Sequence, residues 1–240
     1  MPFFCFLNNS KPLFMLGQIL LSRLQDIPEE SLETISLIEL LFKGGYMMIP
    51  IVILSLVSIY IFAERVGTIT KAAKTPDQFF EQIKRLVLNG DISAAKLLCA
   101  QTTTPIARMI EKGIVRIGNP LKNIEVSIEN VGKIELYKLE KNLSLLASIS
   151  GAAPMIGFLG TVTGMIQAFI SIAQEEGVVS PKLLSSGIYE AMITTAAGLF
   201  VGILAYLGYN YLVARVEKVV HSMEHTSIDF IDLLQEPQSK

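Results

Sequence analysis

The chain is poor in the residues most site chemistry needs. It has two cysteines, Cys5 and Cys99, and two histidines, His221 and His225, in 240 residues. No CxxC pair and no zinc-type spacing occurs. The cysteines are far apart, and the topology argued below puts them on opposite sides of a membrane, which argues against a disulfide. His221 and His225 stand at i, i+4 and could share a metal, but no third ligand accompanies them. They read as a solvated patch on a tail helix, since zinc sites take three or four protein ligands. The formal net charge is only −2, so there is no nucleic-acid footprint. No nucleophile–base pair and no phosphate loop is visible, so the chain reads as no enzyme and calls for no cofactor.

What is abundant is apolar surface. Hydrophobic residues make up 51% of the chain and the mean hydropathy is +0.49. They are clustered. About 20 apolar residues span roughly 30 Å of hydrocarbon as a helix. Met47–Phe62, Leu143–Ile172 and Ile188–Val213 are the candidates. The fold expected is therefore all-α: an integral membrane protein with three transmembrane helices, two of them extended into a cytoplasmic helical domain.

The last two segments organise the rest. The polar link Ala173–Gly187 is too short to re-cross a bilayer, so they run antiparallel. At about 100° per residue, Ser150, Ala153, Pro154, Gly157, Gly160, Gly164, Ala168 and Ser171 share one arc with Thr161. In the partner segment Gly187, Glu190, Ala191, Thr194, Thr195, Gly198, Gly202 and Ala205 share an arc. Bulky residues mostly take the opposite sides. In lipid, small stripes mark close helix contact or a lined lumen. Pro154, Gly157, Gly160, Gly164, Gly187, Gly198 and Gly202 are thus the expected packing residues. Glu190 is the only ionisable residue inside the two segments, and an intramembrane carboxylate is a functional candidate by default. It would instead lie near the headgroups if the segment starts at Pro181. Thr161 and Thr195 come to similar depth, either as interhelical glue or on a proton path.

Met1–Lys43 lacks a cleavage site after Leu13–Leu21, which is a poor signal peptide and too short to span. Leu32, Ile35, Leu37, Ile38, Leu40 and Leu41 suggest a helix lying at the membrane surface. Gly44-Gly45 breaks it. The first span is bulky all round and expected to face lipid. The loop after it carries most of the Lys and Arg, including Arg65, Lys71, Lys138 and Lys141 near membrane ends, while the link has only Lys182. Positive-inside then puts that loop and the carboxyl tail in the cytoplasm and the amino terminus outside.

Within the loop, Thr75-Pro76-Asp77 opens a helix closed by Asn89-Gly90, Asp91 opens another, and Pro105 a third ended by Gly118-Asn119-Pro120. From Leu121 one helix is expected to run to Ile172. In the tail, Val216, Val220, Met223, Ile231 and Leu234 recur at helical spacing and should pack on the loop helices, with Pro237 onward loose. The expected divisions are 1–43 extracytoplasmic, 44–63 first span, 64–142 cytoplasmic domain, 143–173 second span, 174–187 periplasmic link, 188–213 third span and 214–240 cytoplasmic tail.

Two runs carry a resemblance. Ala153-Pro154-Met155-Ile156-Gly157-Phe158-Leu159-Gly160-Thr161-Val162-Thr163-Gly164-Met165-Ile166 resembles the second transmembrane signature of the MotA/TolQ/ExbB proton-channel family. Gly187-Ile188-Tyr189-Glu190-Ala191-Met192-Ile193-Thr194-Thr195-Ala196-Ala197-Gly198-Leu199-Phe200 resembles its third, the ExbB branch most closely. Gly90–Ala95 through Thr104–Ala107 also resembles the family's cytoplasmic domain.

The resemblance implies a homo-oligomeric ring, a pentamer, in a bacterial inner membrane. The ring would enclose a dimer of a single-span ExbD-, TolR- or MotB-like partner whose aspartate takes the proton. Neither signature here has an aspartate, which fits needing such a partner. Thr161, Glu190, Thr194 and Thr195 would then lie on the proton pathway, and force would reach the envelope through a TonB-like protein. The rivals are a TolQ-like or gliding-type stator for another envelope task and a passive membrane scaffold.

Overall fold

The computed structural model describes residues 44–74, 78–174 and 181–235, with the side chains of 181–184 excepted. The surface helix expected around Leu32–Leu41, the Thr75-Pro76-Asp77 helix start, residues 175–180 of the polar link and the tail beyond Pro237 lie outside the described residues. Those described form seven helices and no strand. They are α1 (Met48–Ala73), α2 (Phe79–Leu88), α3 (Ile92–Gln101), α4 (Pro105–Val115), α5 (Leu121–Glu140), α6 (Leu143–Gln174) and α7 (Pro181–Gln235).

The short helices end where their residues stop them. Gly90, with φ +75°, follows α2. Its N–H donates to Val87 O at 3.0 Å and that of Asp91 to Leu86 O at 2.9 Å, the paired bonds of a Schellman stop. Asp91 then caps α3, its carboxylate accepting from Ala94 N at 3.0 Å. Thr104 caps α4 through Ala107 N, and Pro105 fills the first helical position, where a missing N–H costs nothing. Their buried faces meet in one core. Ile83 of α2, Ala95 of α3, Ile110 of α4, Ile128 of α5 and Phe230 of α7 are all completely covered. Gly113 lets α4 approach, since a β-carbon there would lie 2.6 Å from the Phe230 ring and 2.8 Å from Ile128.

α1, α6 and α7 carry the three stretches long and apolar enough to cross a membrane. α7 has 55 residues, so at 1.5 Å per residue it reaches roughly 80 Å, far beyond a hydrocarbon layer of about 30 Å. Its far half packs on α2, α4 and α5. The buried stripe there is Val216, Val219, Met223, Phe230 and Leu233. Val220, Ile231 and Leu234, expected inside, are half-covered at its edge.

The continuous helix expected from Leu121 to Ile172 is interrupted. Asn142 takes φ +65° and separates α5 from α6. Asparagine visits this left-handed region more readily than other non-glycine residues. The second half of α1 holds the break. Arg65, buried, donates from Nη1 to Lys138 O at 3.2 Å in the last turn of α5, and its guanidinium also pairs with Glu64. A cation at a helix C-terminus is favourable, and here it replaces a lost intrahelical bond. Glu64 is held below the usual carboxylate range by its hydrogen bond with Arg65, with Lys141 and Asn142 also beside it.

Candidate functional site

α6 and α7 meet along a seam of glycines. A β-carbon on Gly198 would lie 2.6 Å from Ala153 O and 2.9 Å from Gly157 Cα. One on Gly157 would lie 2.9 Å from Thr194 O. The two backbones therefore touch, which only glycine permits. Gly160 faces the Thr194 side chain, Gly164 faces Ala191, and Gly187 faces Ala168. Gly202 lies against the Pro154 ring and Ser150 O. Pro154 has no N–H to give Ser150 O, so this point of α6 is open to its neighbour.

Hydroxyls cluster on the seam. Thr195 Oγ1 donates across it to Gly157 O at 2.9 Å. Thr194 is 1% exposed, and its Oγ1 donates to Ala191 O at 2.8 Å and lies 3.5 Å from Gly157 O. Thr161 Oγ1 donates to Phe158 O at 2.6 Å on its own helix. Every one of these hydrogens is already taken by a carbonyl, while the oxygens keep lone pairs that can accept a further proton donor.

Glu190 is half-buried beside the seam residues Gly160, Gly164 and Thr194. Its carboxylate lies over Gly45, where φ is +64° and a β-carbon would collide with Oε1. It borders a nook of about 20 Å³ lined by Gly44, Tyr46, Met47, Gly160, Thr163, Gly164, Gln167 and Thr194. That is room for about one water molecule. An open crevice of about 430 Å³ adjoins it, sharing Tyr46, Thr163 and Gln167 and continuing past Ser171 to Gln174 at the end of α6. The chain thus places a polar ladder between the link end of the hairpin and the carboxylate.

The structure brings Glu190 and Thr194 to one cavity and Thr194 and Thr195 to one carbonyl. It does not bring Thr161 into the nook. Thr161 lies about 160° around α6 from Thr163 at 100° per residue. Thr195 lies about 140° around α7 from Glu190 by the same geometry. Thr163, Gln167 and the Gly44-Gly45 turn join the site without having been singled out as polar partners. The signal was there for Gln167, which is the one amide between Leu143 and Ile172. Among the described residues no group of three or more His, Cys, Asp or Glu could hold a metal ion. His225 instead pairs with Asp229 one turn on, at 2.9 Å.

A helical hairpin locked by backbone contact, holding one carboxylate and several hydroxyls among apolar residues, defines a class: a multi-span membrane protein that carries ionisable chemistry within its spans. Residues 101–225 match the sequence profile of the MotA/TolQ/ExbB proton channel family. The chain belongs to that family. It is similar to a putative biopolymer transport protein, ExbB-like 1, of Synechocystis sp., with 29% identity over 185 residues, 76% of this chain and 72% of the relative. The biopolymer transport protein ExbB of Neisseria gonorrhoeae is 41% identical over 87 residues, 36% of this chain and 39% of that protein. The Tol-Pal system protein TolQ of Haemophilus influenzae is 36% identical over 98 residues, 41% of each chain. The chain therefore spans about two fifths of the length of the last two relatives.

Proposed function

We propose that the chain is the channel-forming subunit of a proton-driven motor in a bacterial inner membrane. Copies of it form a ring, a pentamer, around a dimer of an ExbD/TolR-like single-span protein. The observation that carries this reading is Glu190, half-buried in a polar nook with Thr163, Gln167 and Thr194 between apolar helices. Membrane carboxylates are costly, and a mere scaffold has no use for one.

In this reading protons enter by the crevice of Gln174, Ser171 and Gln167, pass the Glu190 carboxylate, and reach the partner's aspartate. The chain has no aspartate in either signature segment, so the acceptor is the partner's. Neutralising it lets the partner shift in the ring, and a TonB-like protein carries the force to outer-membrane transport. The amino terminus lies outside, and the α2–α5 domain and carboxyl tail lie in the cytoplasm, as the lysine and arginine distribution favours. The subunit performs no covalent chemistry and uses no cofactor.

The likeness to a TolQ protein keeps a second reading, a stator for another envelope task. The test is co-reconstitution with the partner in vesicles carrying a pH-sensitive dye. Glu190→Ala is expected to abolish partner-dependent proton flux with the ring still assembled. Undiminished flux would favour the scaffold reading. The partner that co-purifies, and the envelope protein bound to it, distinguishes the two motor tasks.

A further inference from the structure

A second site lies along the other flank of the bundle, in the cleft between α1 and α7. It has two parts. The lower part is a cavity of about 410 Å³ between the end of α1, the start of α4 and the middle of α7. Its cations are Lys74, Arg215 and Lys218, and its floor is Ile69, Ile106 and Val219. No carboxylate lines it, and none pairs with any of the three cations among the described residues. The upper part is a groove of about 390 Å³ lined by Ile59, Phe62, Leu204, Leu207, Gly208 and Tyr211.

The two parts follow one face of α1 and one face of α7, with the Arg215–Tyr211 contact between them. At 100° per residue, Leu204, Leu207, Arg215, Lys218 and Ser222 all fall within about 40° of Tyr211 around α7. Ile59, Ile69 and Ala73 fall within about 60° of Phe62 around α1. Arg215 marks the join. Its Nε and Nη2 donate to Tyr211 Oη at 3.1 and 2.9 Å, and its guanidinium sits 5.2 Å from the Tyr211 ring centre. That fixes the group while leaving three of its five N–H donors free for an anion.

The dimensions match one bilayer leaflet. From Leu204 to Lys218 is 14 residues of helix, about 21 Å. Half of a bilayer with its headgroups is about 20–22 Å. Both helices leave their apolar runs between the two parts, α1 at Glu64 and α7 after Val213. The apolar groove therefore lies at hydrocarbon depth and the cations at headgroup depth. The positive N-terminal end of α4, 11 residues long with Ile106 in the cavity wall, adds to the field.

We propose that this cleft binds an anionic phospholipid of the leaflet on the α2–α5 side. One acyl chain lies along Phe62, Leu204 and Leu207, and the phosphate sits among Lys74, Arg215 and Lys218. The site depends on the chain spanning a membrane and not on the proton reading. An anionic lipid there ties α1 to α7 at the point where the bundle enters water.

The experiment uses the full-length protein in detergent, stripped of lipid and titrated with phosphatidylglycerol or phosphatidylcholine under native mass spectrometry. Phosphatidylglycerol is expected to bind at least about ten-fold more tightly than phosphatidylcholine, since among the described residues three cations and no carboxylate line the site. Arg215→Gln with Lys218→Gln should weaken it by about thirty-fold, at roughly five-fold per charge. Arg215→Lys with Lys218→Arg should keep most of it. Leu204→Ser should weaken lipid binding while leaving the charge in place. Inorganic phosphate in excess should not displace the lipid. Equal binding of the two lipids overturns the proposal and needs no variant. So does phosphate that competes as well as the lipid, which would make this a free-anion site, or a neutralised variant of unchanged oligomeric state that binds as the parent does.

Discussion

Thr195 gives its hydroxyl hydrogen to the carbonyl of Gly157 across the α6–α7 seam, at 2.9 Å. The bond exists because Gly157 and Gly198 bring the two backbones into contact beside it. Packing and polar chemistry are therefore one construction in this hairpin: the glycines set the distance at which the hydroxyl can reach.

Gly198→Ala tests the packing half. Its new methyl group would meet Ala153 O at 2.6 Å and Gly157 at 2.9 Å, both backbone, so neither can swing away. The helices must part. Overpacking of this kind costs about 1–3 kcal/mol, read as a fall in the midpoint of thermal unfolding in detergent. Gly151→Ala, in α6 with open space around it, is the control and should leave the midpoint at or slightly above the parent's, since alanine is the better helix former.

Gly45→Ala tests the carboxylate's seat. Two penalties coincide there: a positive φ of +64° and the Glu190 oxygen in the way of the new group. The backbone term alone costs about 1–2 kcal/mol for a residue with a β-carbon. Glu190 must also move off the start of α1. Proton flux in vesicles should fall sharply, and Gly45→Ala with Glu190→Asp, which shortens the side chain by one methylene, should recover part of it.

Glu135 predicts the acid response of the α2–α5 bundle. It is buried on α5, and burial raises its pKa, but hydrogen bonds from Lys138 at 2.6 Å and Arg108 at 2.9 and 3.0 Å more than offset this. The net result is a carboxyl below its ordinary value of 4.5. Its stabilisation is therefore complete above about pH 4.5 and is lost as the pH falls from there through the lower folded value. Glu135→Gln should remove about 2 kcal/mol at neutral pH, the scale of hydrogen bonds to a charged group, and should flatten the acid limb of the unfolding curve.

How much of this was legible beforehand depended on distance along the chain. Membrane segments, the seam glycines and the starts at Asp91 and Pro105 are written in local spacing, so reading residues in order finds them. The interruption at Asn142 is not local. It is held by Arg65 and Glu64, more than 70 positions away, and the one local hint is the asparagine itself, which tolerates the left-handed region. The nook escaped for a similar reason. A wheel centred on Thr161 puts Thr163 and Gln167 off the small-residue stripe, and only the arrival of Gly44–Met47 turns their side of α6 into a site.

Thr195 separates the two meanings of a membrane hydroxyl. If its bond to Gly157 O is only adhesive, Thr195→Val should cost stability and impair flux no more than that loss explains. Interhelical hydrogen bonds in membranes are worth about 0.6 kcal/mol on average, and valine nearly matches threonine in shape, so the expected loss of stability is small. A relay needs the oxygen itself, because only its lone pairs can take a proton while the hydrogen passes on. Thr195→Ser keeps that oxygen and gives up a methyl group. The expected outcome is a serine variant that conducts and a valine variant that does not, both with unfolding midpoints close to the parent's. Flux surviving in the valine variant would reduce Thr195 to a packing residue and leave Glu190, Thr194 and Gln167 to carry the proton alone.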